Sequence, residues 1–224
     1  LVSGFDLVVP ESEYDLYKKV VKNADNIKTI PDTYNGLGEV RNWVLDNYED
    51  EGIIMLDDDI GSFYNLMNSS SFVIRDVDTI DQILFNAYQC ALDSGCKLFS
   101  FNQKADVRKF SPHQPFSLNA WAGTVVGIIG RDLRFTEINK LKVDADYSLQ
   151  SLLKHRIVWI DNRYAASPIR DKNAGGNSIF RTKELVDQEN EFLREKWGKY
   201  IYIGSQKQTG LLRLKVERKQ KLNF

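Results

Sequence analysis

Cysteine is scarce in this chain: 224 residues carry two, Cys90 and Cys96. Both fall in or just after a stretch patterned as one amphipathic helix, where they read as small apolar side chains, so no disulfide framework is expected. An excess of either charge is also lacking. Thirty basic residues against 31 acidic ones give a formal charge of −1, which excludes the global electrostatic footprint of a non-specific nucleic-acid binder and makes any such contact local. Histidine occurs twice, at His113 and His155, neither with metal-ligand spacing to a second His or Cys. No apolar run approaches the roughly 20 residues that cross a bilayer, and residues 1–10 lack the basic start and apolar centre of a secretory signal. The expectation is a soluble, cytoplasmic protein without a membrane partner. Residue 1 is Leu rather than Met, as in a processed or excised piece.

What is present is ordinary globular material: 42% hydrophobic residues over this length suffice for one substantial core, and one domain is the default. Strand and helix patterns alternate. Phe5 to Val9 reads as a strand. Ser12 opens a helix with Tyr14, Tyr17, Val21 and Ala24 on one face and Asp15 three residues after the cap. A second helix is expected from Gly38 to Tyr48, then an apolar strand Ile53 to Leu56. Phe72 to Ile74 and Leu98 to Phe101 read as strands around a helix from Thr79 to Cys90. The small-residue segment Ala120 to Gly130 has no clear strand limits. Asp144 to His155 reads as a helix, Ile157 to Ile160 as a strand, Ala165 to Ser178 as a loop and Thr182 to Trp197 as a long helix. Leu212, Leu214 and Val216 then alternate with Arg213, Lys215 and Glu217, ahead of Arg218, Lys219 and Lys221. The alternation favours an α/β sheet.

The strand Ile53 to Leu56, apolar throughout as if buried on both faces, ends in Asp57, Asp58 and Asp59. In open α/β sheets, ligands sit beyond the carboxyl ends of strands. Three adjacent carboxylates repel one another unless a cation compensates them, and oxygen ligands select hard ions such as Mg²⁺ or Mn²⁺, which bridge protein oxygens to phosphates. The plain alternative is a solvated acidic turn, which leaves the buried strand before it unexplained.

On the helix before that strand, the 100° step puts Arg41 among Leu37, Leu45 and Tyr48, in the stripe that should be apolar. A guanidinium there needs a partner. Its fork suits phosphate oxygens; alternatively its stem covers the core edge while its head pairs with an acid such as Glu39 or Asp59.

Gly36-Leu37-Gly38-Glu39-Val40-Arg41-Asn42, a spacer, and Ile53 through Asp57-Asp58-Asp59-Ile60 together resemble the GT-A glycosyltransferases related to the base J glucosyltransferases and the Tet-associated glycosyltransferases of bacteriophages. The resemblance spans roughly Phe5 to Arg181. It implies an α/β fold with a GT-A-type, Rossmann-like mixed sheet flanked by helices, and a DXD-type motif holding a divalent metal, Mn²⁺ or Mg²⁺, with the ribose and diphosphate of a nucleotide sugar. Asp59 becomes the leading metal ligand with Asp57 beside it, Asp57 and Asp58 contact ribose or metal-bound water, and Arg41 with Asn42 serves the donor.

The resemblance extends to Val143-Asp144-Ala145-Asp146-Tyr147-Ser148 at a helix start, where inverting members place an acidic base after another acid. Asp146 fits that position best; Ala145 stands where an acid is expected before it, which keeps Asp144 as a competitor. Helix N-capping is the plain reading of both. Lys172 to Ser178 with Gly175 and Gly176, followed by Arg181, resembles the late glycine loop near the donor phosphates. Phe116 to Gly123, with Asn119 and Trp121, matches the acceptor wall, although core packing is the ordinary role of a lone tryptophan. A GT-A domain begins with a strand holding the nucleobase, and the dozen or so residues before the first helix leave open whether that strand is present.

The expected organisation is one GT-A-like domain over 1–224, with a nucleotide-sugar half (1–110), an acceptor and catalytic half (111–181), and a C-terminal helix and basic tail (182–224). The implied acceptor is a hydroxymethylated pyrimidine in DNA, acted on in the host cytoplasm if the enzyme is phage-encoded. The competing readings are a transferase for glycans or DNA-linked sugars, and a non-catalytic binding module on the same fold.

Overall fold

The computed structural model describes residues 2–21, 27–34, 36–138, 141–169, 182–204 and 211–216. Its first unit is a parallel pair, β1 (Leu7–Pro10) and β2 (Ile27–Ile30), in register Leu7 to Ile27 through Pro10 to Ile30. Parallel neighbours need a crossover, and helix α1 (Tyr14–Val20) stands in that connection. The helix start differs from the expected cap. The Ser12 N–H and hydroxyl both donate to Asp32 Oδ1, at 3.1 and 2.8 Å, and no side chain caps α1. Beneath it is a sheet only two strands wide, so Tyr14, Tyr17 and Val21 are half-buried rather than core; Ala24 lies outside the described residues. β2 has no alternating pattern and escaped the sequence reading.

The main sheet has seven strands. In spatial order these are β3 (Gly52–Leu56), β8 (Val125–Ile129), β6 (Leu98–Asn102), β9 (Trp159–Pro168), β4 (Ile60–Asn65) and β5 (Phe72–Ile74), with the short β7 (Phe116–Ser117) pairing β9. Only β6 and β9 run parallel; the other pairs are antiparallel. The result is the mixed, Rossmann-like α/β sheet expected.

Helices cover both faces. Because side chains alternate along a strand, β8 sends Val126 and Ile128 to one core and Val125 and Ile129 to the other. On the first face lie α2 (Leu37–Asn47), α4 (Val143–Lys154) and α5 (Lys183–Trp197), contributing Leu45, Leu149, Leu152 and Leu193. On the second, α3 (Val77–Asp93) contributes Ile80, Ile83, Leu84 and Ala87, packed on Phe63 and Phe99. Both cysteines are free, Cys96 buried and Cys90 half-buried.

Three details correct the sequence reading. β3 lies at the sheet edge, so although Ile53 and Met55 face one core and Ile54 and Leu56 the other, every position is only half-buried. The small-residue segment contains the fully buried β8, whose Gly127 lies under the Phe99 ring; a Cβ there would come within 2.0 Å of Phe99 Cζ. The loop expected from Ala165 is still strand: β9 runs on to Pro168, with the buried Ala165 and Ala166 paired to Tyr64 and Phe63 of β4. Small side chains fit between the layers there and carry no strand signal of their own.

At the C-terminal end β10 (Ile201–Gly204) pairs antiparallel with β11 (Leu211–Leu214), which takes in the start of the alternating stretch, and Ile201 and Val216 enter the first core. Glu217, Arg218, Lys219 and Lys221 lie outside the described residues. No described helix is long and apolar enough to cross a membrane.

Candidate active site

The carboxyl end of β3 delivers the acidic triplet to the sheet edge. Asp57 continues the ladder, its N–H donating to the Thr124 carbonyl at 3.0 Å, and its side chain turns toward α2. There Arg41, 3% exposed, donates from Nη2 to Asp57 Oδ1 at 2.9 Å and from Nη1 to Asp144 Oδ1. One guanidinium thus joins the strand-end acid to an acid in the first turn of α4. The partners foreseen for it are replaced: Glu39 instead accepts the Gly36 N–H at 2.8 Å, closing the start of α2. Burial alone would lower the Arg41 pKa, but Asp144 and then Asp57 outweigh it and hold the guanidinium above its ordinary value. Burial pushes Asp57 up to about 6; Arg41 pulls against this, while Asp144 and Asp59 add to it.

The next two acids diverge. Asp58 is exposed and faces α1, where burial and then Glu13 and Asp58 raise the Tyr17 phenol. Asp59 is half-buried, and its carbonyl accepts the Ile169 N–H at 2.7 Å, tying the turn to the end of β9. The Thr124 hydroxyl donates to the Ala166 carbonyl at 3.1 Å, so β8 and β9 close against the same edge.

The model of the TET-associated glycosyltransferase family matches residues 2–176 of this chain. The chain belongs to that family. A search of the curated proteins found no match. This glycosyltransferase carries its acidic triplet at the carboxyl end of β3.

Asn42 is buried and committed to structure: its amide donates to the Phe135 carbonyl at 3.0 Å and to Glu137 Oε1 at 2.9 Å and accepts the Phe135 N–H at 2.9 Å. It pins the segment before α4 rather than facing the edge. Asp146 is 0% exposed. Its Oδ1 accepts from Trp197 Nε1 and Lys196 Nζ, both at 2.8 Å, and its Oδ2 from the Thr136 hydroxyl at 2.7 Å and Gln150 Nε2 at 2.8 Å. Neither Asp144 nor Asp146 caps α4, whose N-cap is Lys142.

Trp121 is 37% exposed and outside both cores, which corrects the core-packing reading. Its neighbour Ala122 donates its N–H to Ser148 Oγ at 2.9 Å, and that hydroxyl donates to the Asp144 carbonyl at 2.7 Å. The backbone that follows Trp121 is thereby tied to the first turns of α4. Asn119 donates to the Val216 carbonyl instead. Gly175, Gly176 and Arg181 lie outside the described residues.

A divalent ion was expected here. Among the described residues no three His, Cys, Asp or Glu side chains converge as a ready-made site. The available donors are nonetheless hard carboxylate oxygens, and Mg²⁺-class ions take one or two of these and complete their shell with water and phosphate. The donor chemistry of Asp57 and Asp59 fits such an ion. A separate hollow lined by Lys28, Trp43, Asn47, Tyr48, Glu49 and Asp50 opens at the far end of α2 and shares no residue with this edge.

Sequence reading missed Thr136, Ser148, Glu189, Lys196 and Trp197. Trp197 was visible only as a core position of a helical stripe; nothing in that pattern reveals which way its N–H points.

Proposed function

We propose that this glycosyltransferase is metal-dependent and inverting, moving a sugar from a nucleotide sugar to a hydroxyl acceptor, with a hydroxymethylated pyrimidine in DNA as the acceptor class. The observation that carries the proposal is the Arg41 bridge, which sets the donor-side acid Asp57 and the acid Asp144 against one another at the sheet edge.

In this reading Asp59 and Asp57 hold Mn²⁺ or Mg²⁺. When bound, the ion neutralises charge on the departing diphosphate. Asp58, the exposed acid, is available to the ribose. We assign the base to Asp144 rather than Asp146. A carboxylate has about four lone-pair positions, and all of those on the buried Asp146 are taken by four donors, whereas Asp144 is part exposed. Asp144 would take the proton of the acceptor hydroxyl as that oxygen attacks the anomeric carbon. Arg41 orients it, as a fixed group rather than as a phosphate ligand. Trp121 offers a flat apolar face for the acceptor base or sugar.

Calorimetric titration with UDP- and GDP-sugars, in Mn²⁺ and then in excess chelator, tests the donor site. Binding that requires metal supports it, and Asp59→Ala should abolish that binding. Donor affinity unchanged by chelator would remove the metal. Labelled sugar should then enter DNA containing 5-hydroxymethylcytosine; label entering only free glycans would end the DNA assignment.

A further inference from the structure

The family match stops at residue 176, before α5 begins. Yet α5 holds the first turn of α4 at both ends. Glu189, 3% exposed, accepts the N–H groups of Leu141 at 3.0 Å and Lys142 at 2.9 Å, the two residues leading into α4. About two turns further along α5, Lys196 and Trp197 both donate to Asp146 Oδ1. Thr136 links the two layers, since its hydroxyl donates to Asp146 and accepts from Lys196 Nζ at 2.8 Å.

Asp144 and Asp146 are two residues apart, roughly 200° around the helix at 3.6 residues per turn. Anchoring Asp146 inward therefore fixes the rotation that turns Asp144 outward toward Arg41. A donor set this complete on one buried carboxylate resists both rotation and displacement of the turn, because moving the turn breaks several of these bonds at once and leaves a buried charge under-satisfied.

We propose that Trp197 and Lys196 are positioning residues for Asp144: α5 is a built-in part of the catalytic apparatus that sets the angle at which Asp144 meets the acceptor. The proposal rests on the assignment of Asp144 as base. It predicts an effect on turnover and not on donor affinity, since the described side-chain bonds of α5 go to α4 and the segment before it.

The test uses the full chain with UDP-glucose, Mn²⁺ and an oligonucleotide carrying 5-hydroxymethylcytosine, with UDP release to water as the second readout. Single turnovers at enzyme excess are measured for Trp197→Phe and Lys196→Met, each alone and in the Asp144→Asn background. Trp197→Phe should slow transfer by on the order of tenfold to a hundredfold, the usual cost of a misplaced reacting group, with donor affinity held within about twofold. In Asp144→Asn the same substitution should cost less than about twofold, because the group it aims is gone and the effects are not additive.

Equal fold losses in both backgrounds, or full activity in Trp197→Phe, overturn the proposal. If Asp144→Asn alone transfers at the wild-type rate, the base assignment falls instead, whatever α5 does. Should Trp197→Phe fail to fold, Lys196→Met carries the same comparison, since that side chain is 30% exposed and its loss opens no core cavity.

Discussion

Asp144 and Asp146 have the same chemistry and opposite surroundings, and their substitutions should separate accordingly. Asp144→Asn should leave donor affinity near wild type and lower stability by less than the loss of Arg41 itself, since the guanidinium keeps Asp57 as a charge partner, while single-turnover transfer falls by on the order of a hundredfold or more, the range of a lost general base. Asp146→Asn should instead cost about 3 kcal/mol in urea unfolding, because the amide replaces a buried carboxylate that accepts from four donors and offers only part of its acceptor capacity. Arg41→Ala leaves Asp57 and Asp144 without their shared cation and should cost on the order of 3 kcal/mol. Arg41→Lys should recover only part of this, since one ammonium cannot reproduce the fork that spans two carboxylates. Asp57 carries a pH signature. Its folded-state pKa of about 6 lies above the ordinary carboxylate value, so the folded state binds the extra proton, and that stability is full below about pH 4 and lost as pH rises through about 6. Urea unfolding followed across this window should fall more steeply with pH for the wild type than for Asp57→Asn.

At the scale of elements, periodicity located the helices well because each presents a stripe to a core. The observed α2, α3, α4 and α5 begin and end within a few residues of the expected limits. It failed where packing, not pattern, makes a strand. β8 contains a glycine because Phe99 occupies the space a side chain would need, and β9 continues through two fully buried alanines that pair with Tyr64 and Phe63 of β4. Gly127→Ala should therefore cost about 1–3 kcal/mol through forced displacement of that ring, read as a lowered midpoint in thermal unfolding. The candidate site was legible to the same extent. Arg41 betrayed itself by standing in an apolar stripe, and the triplet by ending an apolar strand. The partnership between Arg41 and Asp144 spans 103 residues of sequence, a separation at which a single chain carries no signal of contact.

For the molecule as a whole, near-neutral charge implies that a DNA acceptor is held by few phosphate contacts. Transfer to a 5-hydroxymethylcytosine oligonucleotide should then lose little when salt rises from 50 to 200 mM, far less than the roughly thousandfold loss of a protein making six or more such contacts. The β1–β2 pair introduces a different kind of heterogeneity. Its strands bond to each other and not to the main sheet, and its buried Val9, Ile27 and Ile30 belong to neither large core. A unit tied to the rest by so little apolar contact can open without global unfolding. Its backbone amides should accordingly exchange with deuterium well before those of β8, and a bound nucleotide resting against it would slow that exchange while leaving β8 unchanged.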